Sequence, residues 1–181
     1  MEYPWYEVLG TTDDLQQGDF IPNCTIVIPP VDINEDSEIE VNIKQIDSII
    51  LSQSCDLVNS KVELVLVCPY YPLKTFIDNT LSEQERNSKK AIVRLIDNLK
   101  KGYLPAYHLL NKDTETNSFG DYQIVEFRNV YGVHISMLKS LITLLPERTR
   151  LLSPYREHLS QAFARYFMRV GLPQDIIIEG Y

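Results

Sequence analysis

The stretch that decides the fold is Asp47-Ser48-Ile49-Ile50-Leu51-Ser52-Gln53-Ser54-Cys55-Asp56-Leu57. An apolar run climbs into a polar knot, Ser-Gln-Ser-Cys-Asp. A second apolar run, Val62 to Cys68, follows and stops at Pro69. Both runs are rich in β-branched residues and carry little alternation, the pattern of strands buried on both faces. Asn59-Ser60 between them is a turn signal. The expected arrangement is therefore two core strands joined by a polar loop, and such loops commonly carry function.

Around this pair the strand signals continue. Trp5 to Leu9 reads as an opening strand before Gly10. Gly18 suits a turn that needs positive φ, and Phe20-Ile21 begins a strand. Asn23 to Ile28 is strand-like and is stopped by Pro29-Pro30. Residues 31–42 hold five carboxylates and form a polar loop. They lack the glycine and flanking helices of a calcium loop. Tyr103 to Leu110 and Tyr122 to Phe127 give two more strands, with a hairpin-type loop over Asn111 to Gly120.

Helical periodicity appears in the second half. Ala91, Ile92, Leu95, Ile96 and Leu99 form one stripe within a helix predicted over 82–101, basic on its other face. Ile135 to Leu145 gives a shorter helix that stops before Pro146, and Arg148 to Leu152 a connector or short strand. Ser153 and Pro154 are suited to the N-cap and first position of a final helix. Tyr155, Leu159, Ala162, Phe163, Tyr166, Phe167 and Val170 form its apolar face, and Gly171 closes it. Ile176-Ile177-Ile178 is an apolar tail that suits an edge strand or a partner surface.

The chain has 181 residues, 44% of them apolar and 23% charged, which is enough to bury a core. No apolar run approaches the roughly 20 residues that span a bilayer. The opening residues carry no secretory pattern, and three cysteines are too few for a disulfide framework, so a cytoplasmic location is expected. Net charge is −8, concentrated in residues 1–64, which hold 13 acidic residues against two lysines. Such acidity disfavours nonspecific DNA binding and favours a basic protein partner.

Four candidate chemistries follow. Cys55 in its polar loop is a candidate nucleophile, with Ser52 and Asp56 beside it, but a thiolate needs a base or a positive field. His108, His134 and His158 all lie far away in sequence. Cys24, Cys55 and Cys68 lack zinc-ligand spacing, and Cys24 and Cys68 read as core residues. No metal is assigned. Gly-x-Ser-x-Gly is absent, as are glycine-rich phosphate loops, so no cofactor is assigned either. Arg165 and Arg169 share a helix face and, with Arg128, Arg150 or Arg156, could hold phosphate or carboxylate. The alternative for each is ordinary: a structural thiol, serines bonded to nearby backbone, and surface ion pairs.

Three segments together carry a resemblance. Gln17-Gly18-Asp19-Phe20 looks like the Gly-Asp-Ile/Val turn of PemK/MazF-type growth-inhibitor toxins. Ile49-Ile50-Leu51-Ser52 is similar to their strand ending in serine, and Leu66-Val67-Cys68-Pro69 to their apolar strand ending in proline. The resemblance covers about residues 15–75. It implies a small SH3-like β-barrel, commonly a homodimer, that cuts single-stranded RNA. The family's arginine before the serine-ending strand has no counterpart here, Lys44 being the nearest basic residue, and Tyr70 follows the proline where the family has Thr or Ser. Ser-Gln-Ser-Cys-Asp-Leu is also similar to a run in uncharacterised bacterial proteins.

The resulting expectation is an α+β chain forming a single domain over 1–181. An SH3-like barrel draws its strands from 1–75 and 103–131. Helices over 82–101 and 135–171 pack on it, the last long and amphipathic. The function expected is a non-catalytic interaction or regulatory module with a protein partner, in a bacterial toxin–antitoxin or phage-defence setting. The alternatives are an endoribonuclease acting on single-stranded RNA and a cysteine-dependent enzyme at Cys55. The residues singled out are Ser52, Cys55 and Asp56 for catalysis, and Gly18, Asp19, Gln53, Arg128, Arg165 and Arg169 for binding.

Overall fold

The computed structural model describes residues 3–30, 41–59, 61–113, 115–116 and 118–168. Ser60, most of the acidic loop, Arg169, Val170, Gly171 and the Ile176-Ile177-Ile178 tail lie outside the described residues.

The elements in order are β1 (Tyr6–Leu9), β2 (Phe20–Ile28), β3 (Asn42–Ile50), α1 (Ser54–Val58), β4 (Leu64–Pro72), α2 (Leu73–Thr80) and α3 (Glu83–Arg86). Then come α4 (Lys89–Lys100), β5 (Tyr107–Leu110), β6 (Gln123–Glu126), β7 (Tyr131–His134), α5 (Ile135–Ile142), β8 (Arg148–Leu151) and α6 (Tyr155–Phe167). The chain is an α+β protein.

Strand β4 organises the larger, antiparallel sheet. Its middle pairs with β3 through Ile49↔Cys68 and Ile50↔Val67. Its first half pairs with β7 through Val65↔Val133, and its last residues with β6 through Tyr71↔Ile124. The path runs β2-β3-β4-β6-β5, with β7 also on β4, while β1 and β8 form a separate two-stranded ribbon. Among the described residues the strands do not close into a barrel. Just before β2, residues 18–19 reach β8 through the bridge Asp19↔Arg150 and the Leu151 N–H donating to the Gly18 carbonyl at 2.9 Å, but β2 and β8 form no ladder.

Alternation along β3 and β4 sends neighbouring side chains to different cores. Ile50 and Val67 join Ile26, Val65, Val133 and Leu138, under α5. Ile49 and Cys68 join Phe20, Val125, Phe127 and Leu159, under α6. A third cluster holds Phe76, Leu95, Leu99 and Ile124 between α2, α4 and the outer strands. Ser48–Ile50 of β3 and Val67–Pro69 of β4 are thus buried on both faces, as predicted, whereas the first half of β4 alternates, with Leu64 and Leu66 facing solvent.

Several elements depart from the sequence expectation. The loop after β3 contains a one-turn helix, α1. The segment after Pro72 is helical, although nothing in the sequence reading assigned it. The helix expected over 82–101 is two helices, because Ser88 takes an extended conformation (φ −101°, ψ 107°) and caps α4 by accepting from the Ala91 N–H at 3.4 Å. Upstream, Ser82 and Glu85 form a reciprocal capping box on α3. Pro154, rather than Ser153, occupies the N-cap of α6. Phe20-Ile21 and Asn23–Ile28 belong to one strand, bulged between Ile21 and Cys24, with Asn23 at φ 51°.

Candidate functional site

The polar knot is stitched to its surroundings by its own side chains. Ser52 Oγ accepts from the Leu66 N–H at 2.9 Å, and Leu51 N–H donates to the Leu66 carbonyl at 2.8 Å. Ser54 Oγ accepts from the Gln17 N–H at 3.1 Å, and Gln17 Nε2 donates to the Leu51 carbonyl at 2.6 Å. Gly18 N–H donates to the Ile50 carbonyl and Ile50 N–H to the Asp19 carbonyl, each at 2.9 Å. The segments 17–20, 49–52 and 66–69 therefore come together in space. Both serine hydroxyls accept backbone N–H groups that would otherwise lack partners.

Gly18 is required by geometry. Its φ is 85°, and a Cβ there would stand 3.1 Å from the Leu151 carbonyl oxygen. Asp19 next to it is fully buried and is the electrostatic centre of the molecule. Its carboxylate accepts from Arg148 Nε at 3.1 Å, from Arg150 Nη2 at 3.0 Å and also from Arg150 Nε. The Gln16 N–H adds a fourth bond at 3.1 Å. The two guanidinium groups spend their remaining donors on the carbonyls of Gly10, Asp13 and Asp14. A buried carboxylate between two arginines, with its hydrogen bonds complete, is a structural anchor between the start of β2 and β8.

Cys55 is exposed on α1. Its Sγ lies 3.7 Å from both Gln53 Oε1 and Asp56 Oδ1, and no histidine approaches it among the described residues. Gln53 is the N-cap of α1 and makes no side-chain cap hydrogen bond. The Lys61 ammonium is 4.0 Å from the Asp56 carboxylate beside it. Cys24 and Cys68 are buried in separate cores, and burial pushes their thiols up to about 11 and about 12. No group of three or more His, Cys, Asp or Glu among the described residues could hold a metal ion.

Beside the knot lies a groove of about 550 Å³ between β4 and α6. Ser52, Gln53 and Asp56 line its rim. Leu64, Leu66, Val62, Phe163 and Ala164 supply an apolar wall, and none of the lining residues is basic. Leu64 is 60% exposed and Leu66 40%, so the wall faces solvent.

The arginines do not converge. Arg128 is exposed, with its guanidinium 5.1 Å from the centre of the Tyr107 ring. Arg150 is committed to Asp19, and Arg156 donates to Glu157. Arg165 stands on the other flank of α6 and lines a second cavity of about 480 Å³, with Lys100, Lys101, His108 and His158. Burial and the neighbouring His158 charge push His108 down to about 4.

The Asp19–Arg148–Arg150 anchor and the basic second cavity are the two features that sequence reasoning did not assemble. Arg148 and Arg150, two apart on a strand, share one face. His158 and Arg165, seven apart on a helix, share one side. Those spacings were the available signals.

No protein-family model matches this chain, and no curated protein matches it. No helix among the described residues is long and apolar enough to cross a membrane.

Proposed function

We propose that this protein is a non-catalytic interaction module that takes a short apolar segment of a protein partner into the groove between the Ser52–Asp56 knot and α6. One observation carries the reading. The knot's two serines are occupied with the chain's own backbone, while the wall beside them is exposed leucine, Leu64 and Leu66, with half-buried Phe163. A hydrolytic site needs the opposite, free polar groups with a base or a cation in reach.

The partner segment carries lysine or arginine next to its apolar residues. Asp56 sits at the rim, and the first 64 residues hold 13 acids against two lysines. Opposite charge at the rim governs encounter and register, while the apolar contacts supply affinity.

The resemblance of 17–20, 49–52 and 66–69 to PemK/MazF-type toxins supports kinship with the SH3-like barrel fold and a toxin–antitoxin or phage-defence setting. The missing arginine before β3 favours binding over RNA cleavage. Cys55-dependent chemistry has less support, because the groups facing the thiol are an amide oxygen and a carboxylate, and no histidine approaches it among the described residues.

The test is to select peptides from a displayed random library on the purified protein and to map the binders by hydrogen exchange. Binders with apolar residues next to a basic one should protect residues 51–66 and 160–164. Leu64→Glu should weaken them at least about tenfold. Binders that protect another surface would overturn the reading, as would cleavage of single-stranded RNA lost in Cys55→Ala or Ser52→Ala. Self-association through the same groove, read by sedimentation and abolished by Leu64→Glu, would replace the foreign partner with a second copy.

A further inference from the structure

The second cavity, on the opposite flank of α6, has a chemistry that the groove reading leaves unused. Three elements converge on it. The C-terminal end of α4 brings Lys100 and Lys101, β5 brings Tyr107 and His108, and α6 brings His158, Gln161 and Arg165. No carboxylate lines it, in a chain whose net charge is −8. Lys100, Lys101, His108, His158 and Arg165 make no ion pair among the described residues, whereas Arg86, Arg148, Arg150 and Arg156 each have an acidic partner. Cations held together without a counter-charge repel one another; burial first, and then the charge of neighbouring His158, push the His108 titration down.

The opposite wall is apolar. Leu99, Pro105, Leu109 and Ala162 line it, and at about 480 Å³ the cavity is in the size range of small-molecule sites. Strand β5 ends the sheet path and pairs only with β6, so no strand among the described residues covers its other edge. Guanidinium, ammonium and imidazole N–H donors together fit the oxygens of a phosphate monoester, and the apolar wall fits an organic body attached to it.

We propose that this cleft binds a small phosphate monoester with a flat or apolar body, of the nucleoside monophosphate class. The phosphate sits among Arg165, His158 and the α4 lysines, and the body lies against Pro105, Leu109 and Ala162. The proposal is independent of the peptide groove, which uses the Ser160–Phe163–Ala164 flank of the same helix.

The experiment is calorimetric titration of the intact protein with AMP, with adenosine and inorganic phosphate as controls. AMP should bind at least about tenfold more tightly than either control, and Arg165→Ala should weaken it by about tenfold or more. Raising salt should weaken binding, because exposed charges carry it. In proton NMR, the depressed titration of His108 should move to higher pH when AMP is present. Circular dichroism checks that Arg165→Ala folds, and Lys101→Ala, at an exposed position, carries the same test if it does not. No AMP binding at roughly 5 mM, or binding unchanged in both variants, overturns the proposal. Inorganic phosphate binding as tightly as AMP removes the organic body from it. Binding of single-stranded RNA but not AMP replaces the small ligand with a polymer.

Discussion

Helix α6 separates two concavities of similar size and opposite chemistry. On the Ser160–Phe163–Ala164 side, the facing wall is Leu64 and Leu66 of β4 with Val62 before it, and the Ser52 hydroxyl at the rim is tied to backbone. On the His158–Gln161–Arg165 side, the facing wall carries two lysines and a histidine, and no acidic residue lines it among the described residues. The inner face between them, Leu159, Ala162, Phe163 and Tyr166, packs on the core that contains Phe20 and Phe127. One helix thus presents three surfaces by position alone, since 3.6 residues per turn carries i, i+3, i+4 and i+7 to the same side. A conspicuous sequence motif can be scaffolding, while an unremarkable scatter of basic residues forms the more chemical site.

The comparison breaks most completely if the shared support is removed. Asp19→Ala should cost about 3–5 kcal/mol, because it leaves buried Arg148 without its counter-charge and Arg150 with only the half-exposed Glu7 at 3.8 Å. Urea denaturation would read this as a large fall in midpoint, and both concavities should lose their ligands together. A stability change under about 1 kcal/mol would mean that Asp19 does not anchor β8.

The next largest effect belongs to the basic side alone. His108 has a folded-state titration below that of an unfolded histidine, so the unfolded chain binds the proton first. Stability should therefore fall as pH drops from about 6.5 towards about 4, by on the order of 3 kcal/mol, and level off below. Asp113 adds a separate loss at lower pH. Although burial opposes ionisation, hydrogen bonds from Thr116, Glu115 and Ser118 hold its carboxyl down to about 2, and its contribution disappears as pH falls from 3.8 through that value. His108→Gln should remove the first slope and keep the second. Denaturant midpoints across the pH range check both.

A smaller effect separates the peptide side. Ser52→Ala leaves the Leu66 N–H without its acceptor and should cost about 1–2 kcal/mol, with no change in AMP affinity. Smallest of all, Leu64→Ser should change stability by less than about 0.5 kcal/mol, because the side chain is largely in water, yet it should weaken groove binders. Equal loss of AMP binding in either variant would show that the two flanks are one site.

Much of the fold is legible in residues that act locally. The β-branched run around Ile49 announces a strand buried on both sides, the run from Val62 announces a strand that is so buried only from Val67 onward, Gly18 announces a positive φ, and the stripe from Ala91 to Leu99 announces a helix. The break at Ser88 is set by a single serine that can either continue a helix or cap one, a choice that periodicity does not resolve. Helix α1 is too short to show a period at all. The site was less legible for a different reason. Asp19 finds Arg148 and Arg150 across about 130 residues, and Lys100, His108 and Arg165 meet only because α4, β5 and α6 pack together. Charges acquire meaning from tertiary distance, which the order of residues does not encode.

The pairing of Tyr6 with Leu151 and of Val65 with Val133 has a consequence in time. A chain emerging from the ribosome makes Asp19 early and its two arginines late. Until Arg148 and Arg150 appear, that carboxylate is better off hydrated, and it keeps the Phe20–Ile21 run beside it from settling into a premature core. The first strands must wait for the eighth, so collapse to the native state should come as one late event. An arrest-peptide force profile would record it as a single rise after residue 151 has cleared the exit tunnel, and a strong rise before residue 134 would show that the early strands close without their arginines.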